Sequence, residues 1–62
     1  MKNNFSHYKW VLYTPKKATE ICNFMNEQRD GGFMYAPNVI KKNKYSRVEV
    51  FDEEGYSVGY LC

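Results

Sequence analysis

One stretch of this chain carries the apolar spacing of an α-helix. Ala18, Ile21, Cys22 and Met25 recur at i, i+3, i+4 and i+7, with Phe24 on the flank of the stripe. Thr14-Pro15 stands before it and Asp30-Gly31-Gly32 after it. Thr caps amide groups that have no partner inside a helix, Pro at the first helical position gives up no hydrogen bond, and a glycine past the last turn accepts the left-handed conformation. The rest of the chain reads as strand and turn, so one helix has to cover one sheet.

Residues 5–14 alternate in the period of a strand, placing Tyr8, Trp10 and Leu12 toward the core and His7, Lys9, Val11 and Tyr13 toward a partly wetted face. Residues 33–36 read as a short strand closed by a turn at Pro37-Asn38. Val39 and Ile40 start another short segment, with a tight turn at Lys42-Asn43. Residues 47–51 and 56–61 flank Asp52-Glu53-Glu54-Gly55, a hairpin connection with Gly at the left-handed position. Val48 and Val50, joined by Tyr56, Val58 and Tyr60, form its apolar face, and Ser57 and Gly59 fall on the other. The expected fold is α+β: a single domain over residues 1–62, two layers, one helix packed on a small antiparallel sheet. Its order is β-α-β-β, with room for one or two extra short strands.

A chain of 62 residues that is 18% aromatic has more rings than its core can hold. A domain this small buries only roughly 60% of the surface that its unfolded chain exposes. Some rings must then lie outside, where they make good contact area for a partner. The same smallness argues against a deep substrate pocket. The reading is a small protein-binding module without enzymatic activity, its contacts made by Lys9, Tyr13, Tyr45 and Arg47, with Trp10 an alternative anchor. Abundant Lys, Asn, Tyr and Phe match AT-rich codons. With the small size, that usage points to an inhibitor or regulator of a host protein, of the kind phages and mobile elements carry.

The net charge of +2 is weak, yet the charges come in blocks. Lys41, Lys42 and Lys44 lead into Tyr45 and Arg47, and Asp52, Glu53 and Glu54 follow on the next turn. Cations interleaved with an aromatic ring are the materials of a single-stranded nucleic-acid groove. Those five residues therefore carry the alternative function, nucleic-acid binding. Self-association through an exposed sheet face or edge is the third.

No residue set suggests catalysis, a metal or a cofactor. His7 is the only histidine and reads as an exposed strand residue. Cys22 lies in the helix stripe, where a cysteine serves as a small apolar side chain. The acids of the turn stand in water, without the differing environments that acid–base pairs need. Gly31-Gly32 follows a helix and so is no phosphate loop. Two cysteines, a polar start and no long apolar run predict a cytoplasmic protein with reduced thiols and no membrane contact.

Overall fold

The computed structural model describes residues 5–28 and 30–62. One helix, α1 (Pro15–Gln28), packs on a four-stranded antiparallel sheet of β1 (Phe5–Ser6), β2 (Met34–Lys41), β3 (Tyr45–Phe51) and β4 (Ser57–Leu61), in the spatial order β1-β4-β3-β2. The architecture is the α+β class expected, in the order β-α-β-β-β: β1 is the first strand expected, and β2 is the extra one.

The helix begins as its sequence dictates: the Thr14 side-chain oxygen accepts the Lys17 amide at 3.2 Å, and Pro15 opens the first turn. Gly31 and Gly32, at φ 77° and 80°, turn the chain toward β2. Ala18 and Cys22 are buried against Val48, Val50 and Tyr35, while Ile21 and Met25 pack on the rim of that cluster and Phe24 points to solvent. Burial raises the Cys22 thiol pKa, which keeps it protonated and unreactive at neutral pH.

The strand expected over residues 5–14 ends after Ser6. The Ser6 hydroxyl accepts the amides of both Tyr8 and Lys9 at 3.0 Å, drawing into a local turn two successive amides, one of which a continuing edge strand would have turned toward β4. The period-two reading fails from there on. Tyr8 and Leu12 are exposed, not core, and Trp10 stands 40% exposed. Tyr13, expected toward solvent, packs against the core, its backbone exchanging two hydrogen bonds with Ser46 where β4 no longer reaches β3.

Pro37-Asn38 does not form a turn: β2 runs through both. The strand is an edge, where proline is tolerated because an outward N–H is dispensable. Two residues earlier, with the same outward orientation, Tyr35 exchanges hydrogen bonds of 2.9 Å with the Asn26 side chain, which takes the place of a neighbouring strand. Asn26 and Pro37 thus close much of the β2 edge to another strand.

Both hairpin turns form at the expected residues. Asn43 adopts φ 64° between β2 and β3, and Gly55 adopts φ 90° between β3 and β4. The second turn is organised by Asp52, whose carboxylate accepts the amides of Glu54 and Tyr56 at 2.9 Å. In β4, Val58 packs against the core as expected, but its neighbours change places. Val50 pairs with Gly59 and Phe51 with Ser57, leaving Val58 as a bulge. Gly59 therefore lies on the buried face, Tyr60 moves to the opposite one, and Tyr56 is exposed. Among the described residues no helix is long and apolar enough to cross a membrane.

Gly59 is where β1 seats. At φ 131°, a Cβ there would lie 2.9 Å from the Ser6 carbonyl carbon. Gly59→Ala should cost about 2–4 kcal/mol through backbone strain and overpacking. Urea unfolding is the measurement, and a loss below about 0.5 kcal/mol, the range of neutral surface changes, would show that β1 does not lie against Gly59.

Candidate functional site on the open sheet face

The helix covers one face of the sheet, and among the described residues no second layer covers the other. Because side chains alternate along a strand, Ser46, Val48 and Val50 of β3 point to the helix while Tyr45, Arg47, Glu49 and Phe51 point outward. The register adds Met34, Ala36 and Asn38 from β2 and Tyr60 from β4 to this outer face. The chain leaving β1 returns along the same side and brings Trp10 onto it.

Arg47 is the centre of the arrangement. Its guanidinium carbon lies 3.6 Å from the Tyr60 ring centroid and 4.4 Å from that of Trp10. The two rings meet edge to face, 5.7 Å apart at 66°, so the cation sits in the notch between them. His7 extends the cluster, its ring 6.4 Å from Tyr60. Arg47 Nε donates to Asn38 Oδ1 at 2.9 Å, and Asn38 Nδ2 donates to Glu49 Oε1 at 3.2 Å. Glu49 thereby holds the Asn38 amide with its oxygen toward Arg47, and Asn38 fixes the plane of the guanidinium. Both Nη groups of Arg47 meet no protein acceptor among the described residues.

Of the residues singled out by sequence, Tyr45 and Arg47 share this face, and Lys9 is exposed next to Trp10 in the chain. Lys41, Lys42 and Lys44 are exposed at the tip of the β2–β3 hairpin, just before Tyr45. Tyr13 belongs to the core side instead. Sequence reasoning missed Tyr60, Asn38 and Glu49. Asn38 was hidden by the turn assigned to Pro37-Asn38, Tyr60 by the bulge that reverses its face. Glu49 was legible in principle, since it stands two residues from Arg47 on one strand.

The acidic turn builds no comparable site: the Asp52 carboxylate is engaged by the backbone of its own turn, and Glu53 lies over Gly32. Among the described residues no group of three or more His, Cys, Asp or Glu side chains converges to hold a metal. No protein-family model, curated protein or solved structure matches the chain.

Trp10 works at the surface, so its truncation should be mild. Trp10→Ala should cost about 1 kcal/mol, the scale of a partly exposed cation–π contact, against roughly 3–5 kcal/mol for an aromatic ring removed from a core. Chemical denaturation of the variant checks this. A loss above 3 kcal/mol on that same core scale would place the indole inside the fold.

Proposed function

We propose that the chain is a small protein-binding module that engages its partner through the open face of the sheet. The observation that carries this reading is the Trp10–Arg47–Tyr60 cluster, held in place on an uncovered face. Trp, Tyr and Arg are the residues that most often dominate interface energy, and anchors fixed before binding lose little entropy on association. Tyr45 and Lys9 extend the contact area, and Tyr13 supports it from beneath by tying the returning chain to Ser46. A rigid module of this size acts by occupying a partner's surface, as an inhibitor or regulator does.

Nucleic-acid binding is the second reading, favoured by one observation: Lys41, Lys42 and Lys44 stand exposed at one hairpin tip beside the exposed ring of Tyr45. Base stacking, however, needs open ring faces. Arg47 covers one face each of Trp10 and Tyr60.

Affinity capture from a host lysate, with and without nuclease, tests the proposal. The wild-type chain should retain a partner that survives nuclease, and Trp10→Ala combined with Tyr60→Ala should release it by about 2 kcal/mol or more, the loss typical of interface anchors. Nuclease-sensitive capture would instead support the second reading. Dimerisation on sizing, abolished by the same pair of changes, would show that the face binds a second copy.

A further inference from the structure

Granting that the open sheet face binds a protein, we infer that its partner presents an acidic segment, with a carboxylate seated on the Arg47 guanidinium. Three features of the structure lead there. The two rings and Asn38 fix the guanidinium plane and Asn38 occupies its Nε, leaving the Nη groups as donors with no protein acceptor among the described residues. Two N–H groups in a fixed fork match the two oxygens of a carboxylate.

Charge along the face comes next. Lys41, Lys42 and Lys44 lie at the start of β3, Arg47 follows on the strand, and Asp52, Glu53 and Glu54 lie beyond its end. The basic and acidic turns are thus separated by the length of the strand, ~20 Å at about 3.3 Å per residue. An acidic segment is drawn to the lysine end and repelled from the other, which fixes its position over Arg47. Third, Asn26 and Pro37 obstruct strand addition on the β2 edge, and the β1 edge lies two strands from Arg47, so a segment that reaches Arg47 lies across the face and makes its contacts through side chains.

A nucleic-acid strand fits these features less well. It carries a charge at every nucleotide and would run over Glu49 and toward the acidic turn, whereas a peptide can place carboxylates only where cations meet them.

The test uses the full chain and a short fluorescent peptide of alternating Glu and Ser. The controls are the same peptide with Gln for Glu, and a thymidine oligonucleotide of matched length. At low ionic strength the Glu peptide should bind about tenfold more tightly than its Gln version. Arg47→Lys keeps the charge and removes the fork, and should weaken binding about tenfold while circular dichroism shows an intact fold. Reversing Lys41, Lys42 and Lys44 to Glu should abolish binding. Reversing the exposed helix residues Lys16 and Lys17 to Glu, the same kind of charge change on the other layer, should not.

Equal binding of the Gln peptide, an unaffected Arg47→Lys variant, tighter binding of the oligonucleotide, or no binding of the Glu peptide would each overturn the inference. Failure of the broader reading is distinguishable. A nuclease-resistant partner that is captured by wild type, lost with Trp10 and Tyr60, and indifferent to the Glu peptide would leave protein binding standing and remove the carboxylate.

Discussion

The structure depends on the contact of Ala18 and Cys22 with Val48 and Val50. All four side chains are small, and all are buried between α1 and the central strand β3. Small side chains on both sides let helix and sheet approach closely, but they leave a core with little room for rings. Of the aromatic residues only Tyr35 is buried; Phe5, Tyr13 and Phe33 pack around the margin. The remaining rings have nowhere to go but the surface. What gives the domain its packing is therefore also what puts Trp10 and Tyr60 on the outer face.

Strand β3 joins the two roles. Its even-numbered residues Ser46, Val48 and Val50 build the core, and its odd-numbered residues Tyr45, Arg47, Glu49 and Phe51 build the open face. A one-residue slip in its pairing would turn both sets over together. The buried valines thus set the register that places Arg47 beside Asn38 and within reach of Tyr60, and the stability of the fold is also the rigidity of the site.

The helix and both turns were legible in the sequence because their signals are local. Thr14-Pro15, the stripe from Ala18 to Met25, Asn43 and Gly55 each act within a few residues. What was not legible depended on partners far along the chain. Ser6 ends its strand with a side-chain bond that alternation of apolar residues cannot reveal. Pro37 is a turn signal unless its strand is known to be an edge, and that position is decided by which strands pair. The bulge at Val58 carries Gly59 to the buried face and Tyr60 to the outer one, and at Gly59 the Ser6 backbone comes closer than a side chain would permit. The candidate site divides in the same way: its basic half, Lys41 to Arg47, is contiguous in sequence, while Trp10 and Tyr60 join it only through these long-range pairings.

An outer face that binds a partner, as proposed, has to resist aggregation while keeping its rings available, and its polar network reconciles these demands. An uncovered sheet face of unrelieved apolar residues invites aggregation. Here Arg47 lies over the rings of Trp10 and Tyr60, and the Asn38–Glu49 pair carries polar groups across the middle of the sheet. Arg47 can shield the rings without being consumed by them, since contact with the ring faces leaves its in-plane donors unoccupied. Lysine in its place would offer an ammonium without a planar edge, covering less of each ring and presenting no fork. The choice of arginine at this one position therefore accounts for a tolerable exposed face and suits the directed anchor proposed at its centre.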